Sequence, residues 1–186
     1  NSLEVIKKNK NNGKKFSVGV SINNLSLNEN DIGEFKTFLK ISPPLRTEED
    51  RLSLVQGIKE NLIDVIVSDH LPEDEESKRL PFAQAATGAI GIETLLPLAL
   101  EMYHNESLPL NKIIETITIN PSKILKINKG SLQKGADGDI CIFDLEAPWA
   151  VKAEDLKSKS KNTAIEGRNL QGKVLMTFLN GELVFS

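Results

Sequence analysis

One short segment of the chain combines a strand-like run with side chains that could do chemistry. Residues 65–72 begin as an apolar run and end on Asp69, His70 and Pro72. A continuous apolar run is typical of a strand buried in a parallel sheet. A carboxylate just past the C-terminal end of such a strand lies where β/α barrels keep their catalytic groups, and it can bind a metal or transfer a proton. The alternative is that Asp69 only caps the next turn.

The elements before this segment predict a βαβ unit, in which two parallel strands flank a helix. Residues 16–20 and 63–67 are apolar runs that predict the two strands. Residues 47–61 predict the helix, with Thr47 at its N-cap in a possible capping box with Asp50. Three apolar side chains of that helix are expected to face inward: Leu52, Val55 and Ile58.

Two further stretches of the sequence have a predicted structure. The turn-forming residues from Asn23 to Asp31 predict a loop. Residues 92–104 are strongly apolar and predict a helix that packs against a sheet. We expect the chain on its own to expose much of the apolar surface of residues 92–102 and to aggregate.

The composition of the sequence changes at Gly130. From there on, glycines separate short apolar runs. This pattern predicts a small β-rich unit, and Asn180-Gly181 between two of the runs predicts a type I′ hairpin. We therefore divide the chain into residues 1–129 and residues 130–186. The apolar runs of the second part are 140–143, 173–179 and 183–185.

Composition limits the classes of protein that the chain can belong to. Its hydrophobic content of 39% and charged content of 26% are typical of a soluble globular protein. A net charge of -3 without a basic patch argues against nucleic-acid binding, and no apolar run could span a membrane. The single cysteine, Cys141, rules out a disulfide framework, favours a reducing compartment, and is expected to be buried.

The chain carries a series of short motifs in a consistent order: 40–46 with 50–51, 63–70, 81–82, 88–94, 120–122, 130–132, 135–140, 162–163, Gly167, 172–174 and 180–181. Together these motifs resemble the dihydroorotases of the amidohydrolase superfamily. The forms of residues 67–70 and 78–82 resemble the alphaproteobacterial branch of the class I enzymes most.

The resemblance implies an α/β fold. Residues 1–129 would be the C-terminal strands and helices of a (β/α)8 TIM-type metal-dependent hydrolase barrel, and residues 130–186 a small β-rich subdomain. The chain starts with Asn1 rather than Met and enters a helical pattern at once, so we expect it to begin inside a domain. A complete barrel of this type needs about 250 residues, which implies that the N-terminal part of the same protein is a partner of this chain.

The resemblance also implies a cytoplasmic enzyme of pyrimidine biosynthesis that interconverts N-carbamoyl-L-aspartate and dihydroorotate. The family uses one or two zinc ions, and Asp69 matches its metal-binding aspartate, which is also its general base. The remaining zinc ligands are expected upstream of Asn1, so this chain alone is expected to be inactive. A bound zinc lowers the pKa of its water to about 7, and a nearby carboxylate can then take up the proton.

Four positions match the family's substrate contacts. Ser42 stands where the family has an asparagine that contacts the substrate through its backbone, and the Thr87-Gly88 backbone matches the loop that meets the pyrimidine ring. Glu73 stands where the family often has a histidine that holds the substrate carboxylate, although an ionised glutamate cannot donate to a carboxylate. Asn23-Asn24 replaces a pair of histidines common in the family.

The notable side chains of His70, His104 and Arg46 are given roles outside the substrate site. His70 is expected to have a structural role rather than to bind a metal, because it alternates with Asp69 along the strand. His104 is expected at the surface. Arg46 is expected to pair with an acidic residue of its own loop.

Two alternative functions stay open. The departures at Asn23-Asn24 and Glu73 give weight to a non-catalytic dihydroorotase-like scaffold that binds aspartate transcarbamoylase. The second alternative is another cyclic amidohydrolase, such as an enzyme that acts on hydantoin or allantoin. The expected partners are a small-molecule substrate, the N-terminal part of the protein, and either a second copy or aspartate transcarbamoylase, with no nucleic acid and no membrane.

Overall fold

Two sheets of different kinds are joined by helices in the computed structural model, which describes residues 2–186. None of the helices in that range is long and apolar enough to cross a membrane. The strands are β1 (Gly19–Ser21), β2 (Val65–Val67), β3 (Ile140–Ala150), β4 (Asn169–Leu179) and β5 (Glu182–Phe185). The α-helices are α1 (Ser2–Asn11), α2 (Ile22–Ser26), α3 (Glu48–Lys59), α4 (Glu75–Lys78), α5 (Leu95–His104), α6 (Leu110–Ile117) and α7 (Ile119–Leu125), with 3₁₀ turns at Glu29–Ile32, Thr37–Leu39 and Ala153–Asp155.

The first sheet consists of β1 and β2, which pair in parallel with α3 in the connection between them. The register places Ser21 opposite Val67. Thr47 caps α3, since its hydroxyl accepts a hydrogen bond from the Asp50 amide at 3.1 Å, as the sequence predicts. The βαβ prediction is confirmed, although both strands are shorter than the apolar runs that signalled them.

The second sheet is antiparallel, in the order β3-β4-β5. Asn180 and Gly181, which connect β4 to β5, have φ angles of +51° and +83°. Positive φ at both central residues is the signature of a type I′ turn, so the hairpin prediction is confirmed.

Helix α5 packs between α2, α6 and strand β4, and therefore belongs to the core that joins the two sheets. Leu98, Ala99 and Leu100 are fully buried. The expectation that the 92–102 surface would be exposed is wrong for these residues, because α2 and β4 cover the helix. Ile92, which precedes the helix, is 63% exposed.

Three further expectations are corrected by the structure. The predicted loop that starts at Asn23 begins instead with helix α2, because the Ser21 side chain accepts a hydrogen bond from the Asn23 amide and caps it. Leu52 of α3 is 52% exposed, since Val55 and Ile58 define the buried side of that helix. Cys141 is exposed, because it lies at the start of β3, where the neighbouring Ile140 and Ile142 are exposed as well.

Candidate functional site

The C-terminal ends of β1 and β2 lie side by side, because the two strands are parallel and in register. Ser21 ends β1 and caps α2. Asp69 follows the end of β2 and has a left-handed backbone with a φ of +51°. Aspartate tolerates this conformation better than most residues. The chain thus turns sharply at Asp69, at the edge where the sequence predicts a catalytic carboxylate.

Asp69 lines a cleft of about 960 Å³. Its carboxylate has no hydrogen-bond or ion-pair partner within residues 2–186. Ser21, Asn24, Pro43 and Arg46 line the same cleft. A half-buried carboxylate without a protein partner is available to a ligand, a metal or a reacting water.

The donor chemistry of Asp69 fits one ligand of a zinc ion, for which a carboxylate oxygen is suitable. Residues 2–186 contain no group of three or more His, Cys, Asp or Glu side chains that could hold a metal. A catalytic zinc usually takes three protein ligands, so these residues supply at most part of such a site.

The segment after residue 86 runs beside the exit of β2. The Leu71 amide donates to the Ala89 carbonyl at 2.9 Å, and the Gly91 amide donates to His70 Nδ1 at 3.1 Å. A Cβ atom at Gly91 would lie 2.4 Å from the Ser68 carbonyl oxygen, so only glycine fits there. His70 thus joins two backbone segments, which fits the structural role expected for it.

Asn162 and Lys40 connect the positions that match substrate contacts. Asn162 is buried and bonds both the Glu73 amide and the Gly88 carbonyl, at 3.2 Å each. The Gly88 amide donates to the Lys40 carbonyl at 2.9 Å, close to Ser42 in the chain. Glu73, Gly88 and the segment just before Ser42 therefore lie close together in the structure.

None of the four candidate substrate positions lines the cleft that contains Asp69. Ser42 is exposed, Thr87 and Glu73 are half-buried, and Gly88 is buried. The two groups of residues are linked through the chain, because Glu73 follows shortly after Asp69. They are also linked through Pro43, whose carbonyl accepts a hydrogen bond from Asn24 at 3.4 Å.

Sequence reasoning missed the roles of Lys78 and Asn162, which the structure shows at the centre of these loops. Lys78 is completely buried and donates to backbone carbonyls only. Its neighbours include Glu75, Glu76 and Arg79, so the segment has the appearance of a solvated surface. No local signal marks a lysine for burial, because the carbonyls that it bonds come from elsewhere in the chain.

The structure also corrects the expectations for Arg46 and His104. Arg46 forms no ion pair within residues 2–186, so the expected pairing with an acidic neighbour is wrong. His104 is half-buried rather than fully at the surface, and its ring lies edge-on to Tyr103 with the centroids 5.3 Å apart.

Comparison with known proteins gives a consistent set of similarities. The model of the amidohydrolase family matches residues 7–184. A protein of Ehrlichia canis named dihydroorotase is 42% identical over 185 residues, which are 100% of this chain and 41% of that protein. A dihydroorotase of Aquifex aeolicus is 39% identical over 99% of this chain and 43% of its own length. The chain thus spans less than half the length of these curated relatives.

Solved structures agree with the sequence comparison. The L-hydantoinase (dihydropyrimidinase) of Arthrobacter aurescens superposes with a TM-score of 0.90 and 29% identity, over 99% of this chain and 42% of that one. A D-hydantoinase superposes equally well, with a TM-score of 0.90, but at 22% identity this similarity shows the fold alone.

Proposed function

Because the chain belongs to the amidohydrolase family, we propose that it forms the C-terminal part of a zinc-dependent dihydroorotase. Such an enzyme interconverts N-carbamoyl-L-aspartate and dihydroorotate in the cytoplasm, as a step of pyrimidine biosynthesis. The similar proteins named dihydroorotase, at 36–42% identity over nearly all of this chain, support this reading. The observation that carries it is the unpartnered Asp69 carboxylate at the shared edge of β1 and β2.

The proposal includes the architecture. Residues 1–129 supply the last strands and helices of a (β/α)8 barrel, with β1 and β2 as parallel neighbours in its wall. Residues 130–186 form a small β-rich subdomain, to which the antiparallel sheet β3-β4-β5 corresponds. The remainder of the barrel, with the other zinc ligands, is contributed by the N-terminal part of the same protein.

Asp69 carries the chemistry that this chain contributes. One or two zinc ions, when bound, supply a water acidic enough to act as a nucleophile at neutral pH. The Asp69 carboxylate would be one of the oxygen ligands of that zinc and would accept the proton of the attacking water. It would then deliver that proton to the ring nitrogen as the cyclic amide opens, and the reverse sequence would close the ring.

Backbone groups of the loops next to the Asp69 cleft hold the substrate in this proposal. Ser42 and the Thr87-Gly88 backbone contact the dihydropyrimidine ring, and Glu73 lies on a neighbouring loop. The hydrogen bonds that join Glu73, Gly88 and Lys40 through Asn162 support a common loop cluster. The Glu73 carboxylate is not the group that holds the substrate acid, because like charges repel.

The decisive experiment is a substrate comparison with the whole purified protein that contains this chain. Zinc content is measured first, followed by turnover of dihydroorotate, hydantoin and dihydrouracil. We expect kcat/KM for dihydroorotate to exceed the other two by about a hundredfold, since a site built to pair with the substrate carboxylate discriminates strongly against analogues without it. Preference for hydantoin or dihydrouracil would overturn the assignment.

A protein without zinc and without turnover on any of these compounds would instead support the scaffold function. In that case the protein should co-elute with aspartate transcarbamoylase on gel filtration. The observation that favours the scaffold function is the replacement of the family's two histidines by Asn23-Asn24, since Asn24 lines the cleft that contains Asp69.

A further inference from the structure

We propose that Lys78 and Asn162 are positioning residues that fix the Thr87-Gly88 backbone against the loop of Ser42, so that Thr87 presents its own peptide groups to the substrate. This inference rests on the dihydroorotase function proposed above. Neither side chain lines the cleft of Asp69, and both act through the backbone that they hold.

Lys78 is tied by hydrogen bonds to two other segments of the chain. Its side chain is completely buried, and its ammonium group donates to the carbonyls of Lys40 at 3.2 Å, Ala86 at 3.0 Å and Gly88 at 2.9 Å. An ammonium has three N–H donors, and each finds one acceptor. The ammonium therefore joins the residue before the Ser42 loop to both sides of Thr87.

The burial of this charge has a cost that calls for an explanation. Lys78 forms no ion pair with a carboxylate within residues 2–186, and burial lowers its pKa, while the charge of Glu73 only partly opposes that shift. A buried apolar side chain would avoid the desolvation penalty. What an apolar side chain cannot do is hold three carbonyls at fixed positions by charge-assisted hydrogen bonds.

Asn162 binds the same Gly88 carbonyl from a different part of the chain. Its side-chain amide donates to the Leu71 carbonyl at 3.1 Å and to the Gly88 carbonyl at 3.2 Å, while its oxygen accepts from the Glu73 amide at 3.2 Å. Lys78 and Asn162 thus converge on the Gly88 carbonyl. The exit of β2, where Asp69 lies, is connected through Asn162 to the substrate-facing turn.

The hydrogen bonds around Gly88 leave the backbone amide and carbonyl of Thr87 without a partner among residues 2–186. The Gly88 amide donates to the Lys40 carbonyl at 2.9 Å, and the Gly88 carbonyl already accepts from two side chains. Thr87 is only half-buried, so its backbone groups are those that a ligand can reach.

The kinetic test compares the Lys78→Met variant of the whole protein with wild type. Methionine keeps most of the side-chain volume but donates no hydrogen bond. We expect KM for dihydroorotate to rise about tenfold while kcat stays within about threefold, since Asp69 is untouched and substrate positioning is lost. A fall in kcat with an unchanged KM would overturn the proposal.

Lys10→Met is the matched control, because Lys10 also makes three hydrogen bonds through its ammonium group. Its acceptors are the Asn61 carbonyl and the two carboxylate oxygens of Asp64, before the start of β2 and away from the Thr87 turn. This variant should leave KM within about twofold of the wild-type value. An equal rise of KM in both variants would show a general effect of lost stability and overturn the positioning role.

Hydrogen–deuterium exchange gives a readout that does not depend on activity. In Lys78→Met the Gly88 amide should exchange at least about tenfold faster than in wild type, with no such change in Lys10→Met. If Lys78→Met does not fold, Asn162→Asp replaces it, because the aspartate keeps the acceptor for Glu73 and loses both donors. Unchanged exchange at Gly88 would overturn the positioning role, whereas absent turnover in wild type would overturn only the proposed function.

Discussion

Single residues differ in how far the sequence reveals their roles. The place of Asp69 at a strand end is predictable, because an apolar run followed by a carboxylate is a local pattern. The need for glycine at position 91 is not predictable, because the Ser68 carbonyl that it approaches belongs to another segment of the chain. Lys78 is not predictable at all, since its burial depends on carbonyls from two other segments.

Gly91→Ala tests the contact at the exit of β2. Its Cβ would lie 2.4 Å from a backbone oxygen that cannot rotate away, so we expect the free energy of unfolding to fall by about 2 kcal/mol. Gly19→Ala is the control, because its Cβ meets a side-chain methyl of Val65 at 3.2 Å, which can adjust. Equal losses in urea unfolding would contradict the steric account.

The secondary-structure elements were predictable where their signals are local. Helix α3 follows from its Thr47 cap, and the β4–β5 hairpin follows from Asn180-Gly181. Strand β1 begins only at Gly19 rather than at residue 16, because strand length is set by the partner, and β2 pairs with three residues. Helix α2 was missed because asparagines favour turns and helix caps alike.

Thr47→Ala tests the start of α3, the crossover helix of the βαβ unit. Loss of the hydrogen bond to the Asp50 amide should lower the free energy of unfolding by about 1 kcal/mol. Thr47→Ser keeps the hydroxyl and should retain most of the wild-type stability. The cap has no energetic role if both variants give the same urea midpoint.

At the scale of the whole molecule, the glycines and short apolar runs after Gly130 predict a second, β-rich part of the chain but not how it is attached. Arg168, just before β4, donates to the Ser26 carbonyl at 3.2 Å and to the Glu101 carboxylate at 3.0 Å. It thereby joins the antiparallel sheet to α2 and α5. These contacts span long distances in sequence, so no local pattern encodes them.

Arg168→Met tests this attachment through its pH dependence. Burial already raises the pKa of Glu101 above 4.5, and the guanidinium of Arg168 opposes that shift. In the variant the folded state holds the Glu101 proton more tightly than the unfolded state does, so stability is lost as the pH rises from 4.5 through the folded pKa. We expect a loss of about 1–3 kcal/mol at pH 8 and a smaller one at pH 4.5, by urea unfolding at both pH values.

Arg79→Met is the control for Arg168→Met, because the Arg79–Glu75 pair is exposed on both sides. Surface pairs of this kind contribute little, so its stability should match wild type at both pH values. A pH-independent loss in Arg168→Met would mean that the arginine acts through packing rather than through Glu101.

In the proposed function, the Asp69 carboxylate performs proton transfer at the edge of β1 and β2. Turnover of dihydroorotate by Asp69→Asn in the whole protein tests it most directly, against Asp64→Asn, a carboxylate before the start of the same strand. We predict that Asp69→Asn loses at least about a thousandfold in kcat while Asp64→Asn stays within about threefold. Turnover by Asp69→Asn within threefold of wild type would contradict the account.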